Sequence, residues 1–172
     1  IWMCSYPYTL ENSLVALARP ISIKAETPKV SEERVRGLKQ VENYFNSFPL
    51  VRDCYHKSLA DYRSQNISIA LFGAGHLACS FINVLGLKDY IACVLDDDPH
   101  RQGMFMPGSH LPILPTSALV EWNIGLCLLS VNPISEGKVL EKLVAYRPAV
   151  GMFKSIFPAS DYALPIEMSA RR

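Results

Sequence analysis

Residues 71–79 read LFGAGHLAC, and this stretch decides which fold the sequence predicts. Its glycines follow the spacing Gly73-x-Gly75-x-x-Ala78 and come directly after an apolar run, residues 67–72. In a strand–turn–helix unit that binds a nucleotide, the first glycine permits a tight turn and the second lets the ligand approach the backbone. The small third residue lets the helix pack on the strand. The spacing therefore predicts a phosphate site at the helix N-terminus. A purely structural glycine turn is the alternative.

Three acidic residues follow the next predicted strand. The apolar run of residues 91–95 ends on Asp96, Asp97 and Asp98. Asp96 comes about twenty positions after the second glycine, where a strand-end carboxylate accepts hydrogen bonds from a ribose. Open α/β sheets bind ligands outside the carboxyl ends of their strands, which is where both segments lie. A metal site is disfavoured, because consecutive carboxylates point in different directions and no acidic or histidine cluster elsewhere in the sequence completes one.

Residues 66–158 alternate short apolar runs with helical stretches. This pattern is typical of parallel strands connected by helices. We therefore predict that the segment is an α/β nucleotide-binding domain, a Rossmann-like three-layer sandwich with a mostly parallel sheet. The remaining residues, 159–172, show no clear pattern and are expected to form a tail.

A long helix is predicted ahead of the sheet. Apolar residues recur at helical spacing over residues 31–65, after Ser31 as N-cap, and the helix is either continuous or kinked near Pro49. This linker or packing helix contacts its own domain or connects it to a neighbour. Residues 1–30 are broken by prolines and are expected to be an irregular connection from a missing upstream domain, in which residues 10–18 could form a short helix.

Composition excludes several classes of protein. A net charge of +1 gives no general attraction to nucleic acid or to an acidic membrane surface. No apolar stretch approaches the roughly 20 residues that cross a bilayer, so a soluble domain is expected. The 5 cysteines form no C-x-x-C pair, which disfavours a zinc site or a disulfide framework and favours a reducing cytoplasm. The opening IWMCSYPYTL matches neither a signal nor a transit peptide, and it predicts a piece cut from a longer protein.

A longer motif surrounds the acidic residues. DDDPHRQGMFMPGSHLPI, residues 96–113, together with FGAGHLACSFINVLGL, residues 72–87, resembles the C-terminal domain of sugar C-methyltransferases that use S-adenosylmethionine. The resemblance covers roughly residues 31–150, and the D-x-P, Q-G and P-G elements are its specific part. The matching positions are Gly73, Ala74, Asp97, Pro99, Arg101, Gln102, Gly103, Pro107, Gly108, Pro112 and Ile113.

The resemblance implies a division of labour between domains. A Rossmann-like C-terminal domain would help hold a nucleotide-linked sugar, such as a dTDP-sugar, while S-adenosylmethionine binds in the missing methyltransferase domain and not in this fragment. The family also has a small zinc-binding N-terminal region. This chain has HLACS at residues 76–80, where family members commonly show Lys-Gly-Asn, so a cation and an amide are missing from the ligand site. A similar D-D-D-P pattern in nucleotide-sugar-binding domains of bacterial sugar N-acetyltransferases favours a nucleotide sugar over NAD.

We predict substrate-binding residues but no catalytic or metal-binding residue in this chain. The turn would hold phosphate, an acidic side chain would hold ribose, and a loop would cover the ligand. Two polar residues at the end of a predicted strand, residues 125–131, would line the crevice. The set is Gly73, Ala74, Gly75, His76, Leu77, Asp96, Asp97, Gln102, Gly103, Pro107, Gly108, Ser130 and Asn132. For the last two residues, a helix cap before Pro133 is an equally open interpretation.

Two other functions stay open at this stage. A free-standing NAD-dependent oxidoreductase would need a pair such as Tyr-x-x-x-Lys on a later helix, where only Lys138 and Lys142 occur. A ligand-free scaffold would use the helix of residues 31–65 for dimerisation or domain docking, and there Gly75→Val would destabilise the fold without abolishing any binding. The expected partners are a nucleotide sugar and the upstream methyltransferase domain, with a homodimer also open. Neither nucleic acid nor a membrane is expected.

Overall fold

The computed structural model describes residues 2–5, 14–17 and 32–166. The chain divides into two compact units, residues 1–41 and 42–172.

The first unit contains an antiparallel strand pair. β1 (Trp2–Ser5) pairs with β2 (Leu14–Leu17), with Trp2 opposite Leu17. The expectation of a short helix over residues 10–18 is therefore wrong for residues 14–17, because pairing with β1 supplies the backbone hydrogen bonds that a helix would otherwise make. The rest of that segment lies outside the described residues.

Helix α1 (Glu32–Ser64) is one continuous element, and the boundary between the two units falls within it. Two glutamates in its first turn and Arg63 in its last turn suit the helix dipole. Pro49 has no N–H, so one hydrogen bond of the helix is missing there, but the helix continues past it. The long helix is thus confirmed, while its predicted N-cap, Ser31, lies outside the described residues.

The second unit is built around a parallel sheet of five strands in the order β5-β4-β3-β6-β7. Helices follow three of the strands on the chain. The elements are β3 (Ser68–Phe72), α2 (His76–Leu85), β4 (Cys93–Leu95), β5 (Ile113–Leu114), α3 (Ala118–Glu121), β6 (Ile124–Leu129), α4 (Pro133–Lys142) and β7 (Met152–Ser155). The strand order reverses at β3, between β4 and β6, and such reversal points are where open α/β sheets bind ligands.

The strands alternate between two core clusters, one on each face of the sheet. Ile69 and Leu71 of β3 belong to a buried cluster with residues of α1 and α2. Ala70 and Phe72 belong to a second cluster with residues of α3 and α4. Alternation along a strand places these neighbours on opposite faces. The helices therefore form layers on both sides of the sheet, which confirms the Rossmann-like α/β sandwich.

The described residues that follow β7 fold back onto this strand. Ser155 N–H donates to the Tyr162 carbonyl over 2.8 Å, and Leu164 N–H donates to the Ser155 carbonyl over 2.9 Å. The buried carboxylate of Glu136 accepts hydrogen bonds from the hydroxyls of Ser155 and Ser160, which ties α4 to this segment. No helix among the described residues is long and apolar enough to cross a membrane.

One buried hydrogen bond connects α1 to the segment that follows β7. The Tyr55 hydroxyl donates to the Ile156 carbonyl over 2.9 Å, and burial raises the pKa of Tyr55. We expect Tyr55→Phe to lower the free energy of unfolding by about 1–2 kcal/mol, because the carbonyl then lacks its partner. Urea denaturation of the full chain measures this, with the exposed Tyr44→Phe as control, expected within about 0.5 kcal/mol of wild type. Equal stability of the two variants would contradict the expectation.

Candidate functional site

A crevice of about 320 Å³ opens at the carboxyl ends of β3, β4 and β6. Its volume is at the lower end of the range for small-molecule sites. The residues that line it come from the glycine turn, the start of α2, the acidic segment after β4 and the end of β6. They are Phe72, Gly73, Gly75, His76, Leu77, Asp96, Asp97, Arg101, Ser130 and Val131. Seven of them belong to the set that the sequence predicted.

Gly73 is required by the fold itself. Its φ of +102° lies in the region that side chains rarely adopt. A Cβ at this position would lie 3.1 Å from Val131 Cγ1 and 3.2 Å from the Ser130 hydroxyl. The Ser130 hydroxyl, in turn, lies 2.8 Å from both the Phe72 and the Gly73 carbonyl oxygens, which share its one proton. The first glycine therefore brings the ends of β3 and β6 together.

Gly75 is different, because nothing in the fold requires a glycine there. Its φ is −97°, which any residue adopts, and no atom lies within 4 Å of the place that a Cβ would occupy. It is the N-cap of α2, and no side chain caps this helix. The first-turn N–H groups of a helix need partners from outside the helix. The missing side chain therefore leaves room for a ligand at the start of α2.

The carboxylate of Asp96 already accepts hydrogen bonds from other groups of the protein. Its carboxylate accepts hydrogen bonds from Ala74 N–H at 2.7 Å, Asp98 N–H at 2.9 Å and Arg101 Nη1 at 3.1 Å. The residue is 8% exposed. Ala74 therefore contributes to the site through its backbone, and Asp96 holds the glycine turn against the segment that follows β4. A ribose contact by Asp96 stays a prediction, and it would have to be added to these three bonds.

Asp97 is the more accessible of the two predicted carboxylates. It is exposed, and Oδ1 accepts a hydrogen bond from the Thr116 hydroxyl over 2.5 Å. His76, the first residue of α2, is exposed at the same crevice.

The loop of residues 102–110 lies against α2, and its predicted residues do not line the crevice. Gln102 donates its side-chain amide to the Asp96 carbonyl over 2.9 Å, and Gly103 N–H donates to the Ile113 carbonyl. Asn83 of α2 donates to the Pro107 carbonyl over 2.9 Å. A Cβ on Gly108, whose φ is +78°, would lie 2.7 Å from the Asn83 amide oxygen. Coverage of a ligand by this loop stays a prediction, and the contacts seen here fasten it to the helix.

Asn132 acts as the N-cap of α4, because its side chain accepts a hydrogen bond from Ile134 N–H over 3.1 Å. This contact matches the helix-cap interpretation that the sequence left open.

Three lining residues are absent from the predicted set, namely Phe72, Arg101 and Val131. Phe72 ends β3 and gave no signal of its own, whereas Val131 lies two residues past the end of β6, between the predicted Ser130 and Asn132. Arg101 did carry a signal, because it belongs to the R-Q-G element of the motif. Its guanidinium contacts Asp96, and its Nε lies 3.5 Å from Asp98 Oδ2.

Metal binding and cysteine nucleophiles are the two other kinds of chemistry considered for the described residues. No group of three or more His, Cys, Asp or Glu is placed to hold a metal ion in that part of the chain. Cys93 and Cys127 are buried in the sheet. Burial raises the pKa of the Cys93 thiol to about 11 and also raises that of Cys127, so neither is poised as a thiolate nucleophile.

Comparison with known proteins gives one family and several distant structures. A family described as the C-methyltransferase C-terminal domain matches residues 17–158. No curated protein sequence matches the chain.

Among solved structures, RSP, a Rex-family repressor, is 14% identical with a TM-score of 0.42 over 57% of this chain, and the chain spans only 50% of the repressor. The same repressor in complex with beta-NADH gives 14% identity and a TM-score of 0.41, over 57% of this chain and 51% of that one. UDP-D-quinovosamine 4-dehydrogenase from Vibrio fischeri is 19% identical with a TM-score of 0.42, over 54% of this chain and 80% of that one. At these values the structures carry no argument about ligand or activity.

The three bonds to Asp96 predict a stability effect that Asp97 should not share. Asp96→Asn replaces one carboxylate oxygen with a donor facing N–H groups, so we expect a loss of about 1–3 kcal/mol in the free energy of unfolding. Asp97→Asn keeps an acceptor for Thr116 at an exposed position and should stay within about 0.5 kcal/mol of wild type. Chemical denaturation of both variants measures these changes. An Asp96→Asn protein as stable as wild type would contradict the structural role of Asp96.

Proposed function

Because this chain belongs to the C-methyltransferase C-terminal domain family, we propose that it holds a nucleotide-linked sugar at the carboxyl ends of β3, β4 and β6. Methyl transfer takes place in another domain of the protein, and this domain contributes substrate binding.

The observation that carries the proposal is the open space at Gly75 beneath the uncapped start of α2. Backbone N–H groups at a helix N-terminus and the helix dipole favour a negatively charged group. The diphosphate of a nucleotide sugar supplies such a group. A side chain at position 75 would compete with it for the same volume, whereas the fold leaves that volume empty.

The ribose is assigned to Asp97 in this proposal. Asp97 is exposed at the crevice and has one hydrogen bond, whereas Asp96 already has three protein partners. A strand-end carboxylate of this kind accepts hydrogen bonds from sugar hydroxyls.

S-adenosylmethionine supplies the methyl group in reactions of this family. The crevice lining carries Asp96 and Asp97 beside Arg101, so its charge does not separate this cationic methyl donor from an anionic ligand. We assign no step of methyl transfer to this crevice and propose that the methyltransferase domain binds the methyl donor.

The proposal is tested by calorimetric titration of the full-length protein with UDP, dTDP, NAD and S-adenosylmethionine, using wild type and Gly75→Val. We expect wild type to bind a nucleoside diphosphate, and Gly75→Val to weaken that binding at least about tenfold, equivalent to about 1.4 kcal/mol. Gly137→Val is the matched control, since a Cβ there also meets nothing within 4 Å and the residue lies on α4, outside the crevice.

Both variants should melt within about 3 °C of wild type, because neither position needs a glycine conformation. Equal affinity of Gly75→Val and wild type would contradict the proposal. Selective binding of NAD would favour the oxidoreductase instead. A Gly75→Val protein that is less stable than wild type, with no loss of any ligand binding, would favour the scaffold.

A further inference from the structure

Arg101 is the feature of the crevice that the proposed function leaves unassigned. Among the described residues that line the crevice, it is the one basic side chain apart from His76, and Asp96 and Asp97 face the same space. A phosphorylated ligand adds more negative charge to this site. The start of α2, HLACS, contains no lysine or arginine, so a cation for the ligand has to come from another segment.

Two carboxylates hold the guanidinium in position. Nη1 donates to Asp96 Oδ2 at 3.1 Å, and Nε lies 3.5 Å from Asp98 Oδ2. Nη2 makes no hydrogen bond or ion pair with any residue that the structure describes. An arginine has five N–H donors in a planar fork, so donors remain for a ligand. The side chain is 49% exposed, which leaves them accessible.

The same carboxylate oxygen connects Arg101 to the glycine turn. Asp96 Oδ2 accepts from Ala74 N–H at 2.7 Å and from Arg101 Nη1 at 3.1 Å. The guanidinium and the backbone N–H of Ala74 therefore bind the same carboxylate oxygen, which keeps Arg101 close to the glycine turn. α2 begins two residues after Ala74, so Arg101 and the first turn of α2 lie on either side of the glycine turn.

We propose that Arg101 binds one phosphate of a diphosphate ligand while the start of α2 binds the other, so that Arg101 makes the site selective for diphosphates over monophosphates. This inference rests on the proposed function and identifies the residue that recognises the second phosphate. Guanidinium groups donate bidentate hydrogen bonds to phosphate oxygens, and such charge-assisted bonds are about twice as strong as neutral ones.

The test compares diphosphate with monophosphate binding to the full-length protein. The ligands are dTDP, dTMP, UDP and UMP, and the variants are Arg101→Gln and Arg101→Lys. Arg52→Gln is the matched control, because Arg52 has a similar exposure of 54%, contacts a neighbouring aspartate at 3.8 Å and lies outside the crevice. Melting temperatures show which variants are folded.

We expect Arg101→Gln to weaken diphosphate binding about tenfold or more and to bring the ratio of diphosphate to monophosphate affinity close to one. Arg101→Lys should retain part of that ratio, since a lysine keeps the charge but not the planar fork. Arg52→Gln should leave the ratio unchanged. If Arg101→Gln does not fold, the ratio in Arg101→Lys decides the matter, because an unchanged ratio overturns the proposal and a reduced one supports it.

A merely structural arginine gives a different pattern. Equal weakening of diphosphate and monophosphate binding, or no weakening at all, overturns the role of Arg101 while the proposed function stands. Failure of the wild-type protein to bind either nucleoside diphosphate overturns both together.

Discussion

The carboxylate of Asp96 is the interaction on which the crevice depends. A nearly buried carboxylate is costly unless hydrogen bonds and positive charge compensate for the water that it loses. Here two backbone N–H groups and the Arg101 guanidinium supply that compensation. The three donors come from the turn after β3 and from the segment after β4. One side chain therefore sets the spacing between the two walls of the crevice, and the Asp96 carbonyl fixes Gln102 as well.

Much of the fold could be predicted because its signals are local. The glycine turn, the buried strands and the first turn of α2 follow from residue spacing and apolar runs, and these also placed Gly73, Gly75 and Asp97 at the crevice. The N-terminal strand pair could not be predicted, since Leu14–Leu17 is extended only through pairing with a distant segment. The segment after β7 is a similar case, because its bonds to Glu136 and Tyr55 join residues far apart in sequence.

The site was harder to predict for the same reason. Spacing identified Asp96 as a strand-end carboxylate, but it could not reveal that the protein's own donors already occupy the side chain. The loop containing Pro107 and Gly108 carries recognisable turn residues, yet its position depends on Asn83, which looks like an ordinary helix residue in the sequence. Sequence spacing thus locates strand ends, whereas tertiary contacts decide which polar groups remain available there.

The uncapped start of α2 sets stability and binding against each other at one position. A Ser, Asp or Asn at a helix N-cap contributes about 1 kcal/mol of stability compared with an uncapped residue, and a glycine there gives up a few tenths of that. Gly75 could accept such a side chain without a clash. A side-chain oxygen at position 75 would accept a hydrogen bond from the first-turn N–H groups of α2. It would also occupy the volume where an anion would otherwise bind. Selection for a more stable fold and selection for an open crevice would therefore favour different residues at position 75.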